Sequence, residues 1–196
     1  MPDTSASAQV RQHRRVYQGH VVSLDVDEVD EPGGVHGTRE VVRQSGSVAA
    51  LPVLADGRIV LVRQYRYAVD AQVWELPAGR RDPGETPESG ARRELEEEVG
   101  LRAGSLEPLA EFWTTPGFCD EVMHLFRATS LESVPQRPEA DERIEQATFT
   151  LAEAMAMLRR GEIREGKTLV ALLLEADRRG SATTGNPGGS GGTGPP

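Results

Sequence analysis

The sequence predicts an α+β chain, folded as an α/β/α sandwich around a mixed central sheet, with a small β segment ahead of it. Three observations carry this expectation. Alternating or apolar runs before residue 78 read as strands, one amphipathic helix follows at 87–99, and two helical runs close the chain after further strands. A length of 196 residues suits one sizeable domain, and 37% hydrophobic with 27% charged residues fits a globular protein.

Residues 1–13 are expected to form a disordered leader, and 14–45 an N-terminal β segment. Within that segment, 14–17, 20–26 and 39–43 read as short strands, with the Pro32-Gly33-Gly34 turn between the last two. They carry too few apolar residues for a core of their own, so the segment must lean on the main domain or on a second subunit. The main domain is placed at 46–178. It opens with VAALPVL (48–54), a buried strand, and Asp56-Gly57 turns the chain into IVLVRQY (59–65). Residues 74–77, 109–112, 122–127 and 144–149 read as further extended pieces, with a polar loop at 131–143. Helical spacing recurs at 151–160 and 167–177. Residues 179–196 are Gly, Ser and Pro rich and are expected to be a disordered tail.

Net charge is −9, from 31 acidic against 22 basic residues, which argues against a nucleic-acid partner. It leaves room for an anionic substrate bridged by a divalent cation. No apolar run approaches the roughly 20 residues that span a membrane. A single cysteine, Cys119, and the lack of a secretory signal point to the cytoplasm. Cys119 itself reads as a small packed residue.

The densest chemistry lies at 79–101, GRRDPGETPESGARRELEEEVGL. Thr86 can cap a helix, Pro87 fits its first position, Glu88 complements its positive end, and Gly100 stops it. At ~100° per residue, Glu94, Glu97 and Glu98 gather beside the apolar stripe of Ala91, Leu95 and Val99, whereas Glu96 points away. Clustered carboxylates repel one another unless neutralised, and hard oxygen donors on a rigid element suit Mg²⁺ or Mn²⁺.

The full pattern resembles the Nudix box, with Gly79, Glu85, Arg93, Glu94, Leu95, Glu97, Glu98, Gly100 and Leu101 at its fixed positions. The resemblance extends over about residues 14–178 and implies the Nudix α/β/α fold and hydrolysis of a nucleoside diphosphate linked to another moiety. It implies Glu94, Glu97, Glu98 and the Ala78 carbonyl as metal ligands, with Mg²⁺ as cofactor and Mn²⁺ able to substitute. Glu85 and Arg93 are implied as a brace between loop and helix.

WELPAG, VRQYR and TTPGFCDE, with Pro116 about fifteen residues past the box, look like the ADP-ribose pyrophosphatase branch. In that branch a loop glutamate often serves as base. Glu142 within RPEADERIEQ is the favoured position, with Glu139 a weaker one. Arg66 resembles a diphosphate contact, and Arg39 a weaker one reaching a partner's site. Trp74, Trp113 and Tyr17 are open as adenine-stacking residues, each competing with a core role. The four histidines show no ligand spacing and read as surface residues. The branch implies a homodimer with exchanged N-terminal strands. ADP-ribose is the expected substrate. The alternatives are a broader nucleoside diphosphate sugar hydrolase, GDP-mannose included, and a non-catalytic ADP-ribose sensor.

Overall fold

The computed structural model describes residues 7–137 and 143–184. Strands β1 (Gln9–Gln18), β2 (Ser23–Glu31) and β3 (Val35–Arg43) form an antiparallel meander. Its inner face is charged instead of apolar. Asp25, only 2% exposed, accepts from Arg15 at 2.7 and 3.1 Å and from Arg43 at 3.1 Å. The bond from Arg15, against burial and aided by Arg43, lowers the Asp25 pKa to about 2. Strand β3 joins the main domain through backbone bonds, Val42 N donating to Phe118 O at 2.7 Å and Asp120 N to Val42 O at 3.2 Å.

The central sheet has the order β7 (Ala78–Arg80), β4 (Ser47–Pro52), β9 (Val122–Ser133), β8 (Leu101–Trp113). Pairing is parallel between β4 and β9 and antiparallel at the other two junctions, so the sheet is mixed as expected. A second sheet orders β10 (Glu145–Phe149), β5 (Ile59–Arg66) and β6 (Ala71–Glu75), all antiparallel. Strand β4 is buried at every position, and its alternation builds both sides of the sandwich. Val48 and Ala50 cluster with Ala91, Leu95 and Val99 of α1 (Pro87–Val99). Ala49 and Leu51 cluster with Ala154 and Met157 of α2 (Leu151–Arg159) and with Ala171 and Leu172 of α3 (Gly166–Thr184). Each fully buried leucine here contributes about 1.5–3 kcal/mol of transfer free energy. Helix α3 is also pinned to β9, because the buried Glu175 accepts from Arg127 Nε at 2.9 Å.

Several boundaries differ from those expected. Strand β1 starts at Gln9, inside the expected leader, because Gln9 and Val10 pair with Asp30 and Val29 of β2. Of the piece at 74–77, Trp74 and Glu75 end β6, whereas Leu76 and Pro77 link it to β7 in a different sheet. The strand read at 109–112 spans Leu101–Trp113, with a register shift between Pro108 and Ala110. Exposed polar residues and that proline hid its first half. Helix α3 continues to Thr184, past the start expected for the tail. Among the described residues no helix is long and apolar enough to cross a membrane.

Candidate active site

Helix α1 forms as its caps dictate. Thr86 Oγ1 accepts from Ser89 N at 3.1 Å, Pro87 opens the helix, and Gly100 closes it at φ 62°. Such an N-cap is worth about 1 kcal/mol. The helix packs Ala91, Leu95 and Val99 inward, which leaves Glu94 and Glu98 at the edge of that face, 8% and 3% exposed. Glu97 is half-buried beside them, and Glu96 turns away to pair with Arg102 Nε at 2.8 Å. The division expected from helical projection holds.

Arg93 is the hub of the site. Its Nε and Nη2 donate to the two oxygens of Glu85, both at 3.1 Å. Nη1 reaches Glu94 at 2.8 Å and Glu97 at 2.9 Å, and Nη2 also reaches the Arg80 carbonyl at 3.0 Å. All five guanidinium hydrogens therefore have acceptors. The bonds to Glu85, with the field of Glu94 and the bonds to Glu97 and Glu94, and against partial burial, raise the Arg93 pKa. Glu85 sits below its ordinary value, chiefly through Arg93. Glu85 also accepts from Asp82 N at 3.0 Å, so the loop and the helix are joined through one carboxylate.

Gly79 allows a close approach. A Cβ there would lie 2.0 Å from Glu94 Oε1, so the Glu94 carboxylate rests against a bare Cα. Next to it, Ala78 N donates to Glu98 Oε2 at 3.0 Å. These groups line a cleft of about 1510 Å³. Glu85, Glu94, Glu97, Glu98, Arg93 and Ala78 all border it, and so does Arg66, which lies within the field of Glu98. Four carboxylates against one bracing arginine leave excess negative charge there, and hard oxygen donors of this kind fit a divalent cation. Among the described residues no three His, Cys, Asp or Glu side chains are already arranged around one point at ligand distance. Arg93 and the Ala78 amide occupy oxygens that such an ion would take.

The remaining candidates separate. Arg39 donates to Glu31 at 2.7 and 2.8 Å on the N-terminal sheet, and Pro116 is exposed on the β8–β9 turn; neither borders the cleft of its own chain. Glu142 and Glu139 lie outside the described residues. Trp74 belongs to the core, its ring edge-on to Phe149 at 5.2 Å, whereas Tyr17 and Trp113 are 57% and 67% exposed. Cys119 is half-buried and bridges to Val42. His124 is less exposed than a surface reading expects. It is half-buried on β9, with Nδ1 3.1 Å from Glu111.

Sequence reasoning missed several lining groups. Glu121 accepts from Ser47 Oγ at 2.6 Å and Thr114 Oγ1 at 2.8 Å. Beside the lining residues Arg66 and Lys167, the buried Glu75 accepts from Arg66 Nε at 2.7 Å and Lys167 Nζ at 2.8 Å. Burial opposes the charge of Glu75, but Lys167 and Arg66 outweigh it and lower its pKa. The available signal was a charged residue inside an apolar run, Glu75 between Trp74 and Leu76.

A sandwich of this order, with a braced carboxylate helix lining a cleft that Arg66 and Lys167 also border, suits a hydrolase acting on phosphorus anhydrides. The NUDIX domain model matches residues 44–172, and the chain belongs to the Nudix family. It is 38% identical to an ADP-ribose pyrophosphatase of Bacillus subtilis (strain 168), over 81% of this chain and 86% of that protein. Identity is 40% to an ADP-ribose pyrophosphatase of Mycobacterium tuberculosis (strain ATCC 25618 / H37Rv), over 81% and 78% of the two chains. It is 37% to a GDP-mannose pyrophosphatase of Citrobacter koseri (strain ATCC BAA-895 / CDC 4225-83 / SGSC4696), over 68% and 75%. A solved structure described as an ADP compounds hydrolase superposes with a TM-score of 0.78 at 23% identity, over 89% of this chain and 95% of its own, which supports the fold.

Proposed function

We propose that this protein hydrolyses the diphosphate bond of ADP-ribose, yielding AMP and ribose 5-phosphate. The observation that carries the reading is that Glu94, Glu97, Glu98 and Arg66 line one cleft of about 1510 Å³, large enough for a nucleotide sugar. Two relatives at 38% and 40% identity bearing the ADP-ribose pyrophosphatase name support this substrate. In this reading Glu94, Glu97, Glu98 and the Ala78 carbonyl hold Mg²⁺, which Mn²⁺ can replace. When bound, the ion supplies positive charge against the diphosphate oxygens. Arg93 and Glu85 keep the carboxylate helix and its loop in register, and Arg66 binds the diphosphate.

Glu142 takes the proton of the attacking water, as its position ahead of β10 suggests. Glu142→Gln is then expected to lower kcat by about 10²–10⁴-fold with little change in KM. An unchanged kcat would remove Glu142 from that role. The same reading makes the active protein a cytoplasmic homodimer whose N-terminal strands cross, bringing Arg39 and the turn of Pro116 towards the partner's cleft. The exposure of β1 along its whole length, with Val10, Val16 and Tyr17 uncovered, supports this. A monomer by sedimentation at working concentration would reject the exchange.

The Citrobacter koseri relative favours a second reading, a broader nucleoside diphosphate sugar pyrophosphatase. A panel of nucleotide sugars with chromatography of the products decides between them. ADP-ribose is expected to give the highest kcat/KM, and equal or faster turnover of GDP-mannose sinks the narrower assignment.

A further inference from the structure

The part of the cleft around Arg66 contains more charge than contact with one phosphate requires. Glu75 is 1% exposed, and its two oxygens hold cations from separate parts of the chain. Oε1 accepts from Arg66 at the end of β5 at 2.7 Å, and Oε2 from Lys167 in the first turn of α3 at 2.8 Å. Lys167 Nζ is also 3.2 Å from Glu165 Oε1. Arg66, Lys167 and Glu165 all border the cleft.

The segment that carries Glu75 is tied down on both sides. Leu76 N donates to Thr168 Oγ1 at 2.9 Å, and Ala78 N donates to Glu98 Oε2 at 3.0 Å. Four consecutive residues therefore connect the start of α3, the two cations and the carboxylate helix. A buried ion network of this kind is a poor route to stability, since an apolar group of similar volume packs at least as well. Its gain is orientation.

We infer that Glu75 is a positioning residue that sets Arg66 and Lys167 as a two-pronged clamp on the diphosphate, with Lys167 a substrate-binding residue. The inference rests on the diphosphate reading above. An ammonium has three hydrogens; Glu75 accepts one from Lys167 Nζ, Glu165 is an ion-pair partner at 3.2 Å, and a hydrogen remains for an oxygen in the cleft. Arg66 spends Nε on Glu75, and among the described residues its two Nη groups have no protein acceptor. The carboxylate thus fixes the inner side of each cation and leaves the outer side for substrate. Arg66 and Lys167 would meet the diphosphate oxygens directly, and a divalent cation held by Glu94, Glu97 and Glu98 would supply further positive charge to them.

The test uses the full chain with Glu75→Gln, Lys167→Gln, Arg66→Gln and the Glu75→Gln/Lys167→Gln double variant. ADP-ribose kinetics give KM and kcat separately, calorimetry with Mg²⁺ and inorganic pyrophosphate gives affinity without turnover, and melting gives Tm. Each single change is expected to raise KM by about tenfold with kcat within about threefold, and to weaken pyrophosphate to match. The double variant is expected to lose far less than the product of its singles, because one clamp is removed either way. An unchanged KM and pyrophosphate affinity in Glu75→Gln, with only Tm reduced, overturns the inference by giving the network a packing role alone. Multiplicative losses overturn it as well. Should Glu75→Gln not fold, Lys167→Gln carries the test, and unchanged KM there overturns it. Wild-type protein that hydrolyses no nucleoside diphosphate would sink the function reading instead, while a Lys167-dependent affinity for pyrophosphate would still uphold the clamp.

Discussion

Glu98→Gln is expected to lower turnover by about a thousandfold or more while the fold survives. The side chain is 3% exposed at the edge of the buried face of α1, so its charge has little solvent to compensate it. Its Oε2 accepts from Ala78 N at 3.0 Å, and a glutamine of the same shape can keep that bond through its carbonyl oxygen. What glutamine lacks is the negative charge that a hard divalent cation requires of its ligands. With Glu98 in the proposed metal role, the change is nearly silent for packing and severe for cation binding. Calorimetric titration with Mg²⁺ should show weakened binding in parallel with the fall in kcat. Near-normal turnover with Tm unchanged would remove Glu98 from the ligand set.

The second large effect is expected from Arg93→Met, which should destabilise the protein by about 3–5 kcal/mol. Methionine fills a similar volume, so the loss is of charge and donors. Removing the guanidinium leaves Glu85, Glu94 and Glu97 facing one another without the group that bridges all three. Divalent cation should restore part of the lost Tm, because it neutralises the same carboxylates. The acid limb of the stability curve tests the cause. The Glu85 pKa is lowered in the folded protein, so its contribution is fully present above the unfolded value of about 4.3. It is lost as pH falls through the folded value. Wild-type Tm should therefore decline below about pH 4, and the Arg93→Met curve should be flatter there. Equal acid slopes in the two proteins, with a Tm loss that Mg²⁺ leaves untouched, would show that Arg93 does not act through these carboxylates.

Much of this site was legible because it is local. Thr86, Pro87 and Gly100 delimit α1 through capping chemistry that operates within a few residues. The separation of Glu96 from Glu94, Glu97 and Glu98 needs only the helical repeat and the position of Leu95. The strand at 48–54 announced itself by burial on both faces, and its alternation does feed the two halves of the core. By contrast, β8 was half concealed, since Leu101 to Pro108 gain their pairing from β9 and show no apolar alternation of their own. Strand β1 was shortened for the same reason. Its residues are exposed along their length and are held by hydrogen bonds and ion pairs to β2 that no hydropathy pattern reveals.

The Arg66 and Lys167 part of the cleft was out of reach for a different reason. Glu75 and Lys167 stand 92 positions apart, and nothing near either residue indicates the other. Their meeting depends on α3 docking its first turn against the end of β6, which Thr168 secures through Leu76. Trp74 shows the converse. As one of two tryptophans beside a conspicuous motif it looked available to a base, but packing against Phe149 commits it to the core.

Composition and order alone were enough for the layered fold, the carboxylate helix and the family, because caps, periodicity and the Nudix box act over short stretches of chain. Tertiary structure alone decided which charges face the cleft. It set Arg66 and Lys167 on one buried carboxylate and left Arg39 and Pro116 away from the cleft of their own chain. The physical reason is that burial and Coulomb pairing depend on distance in space, and chains fix that distance only when their elements pack.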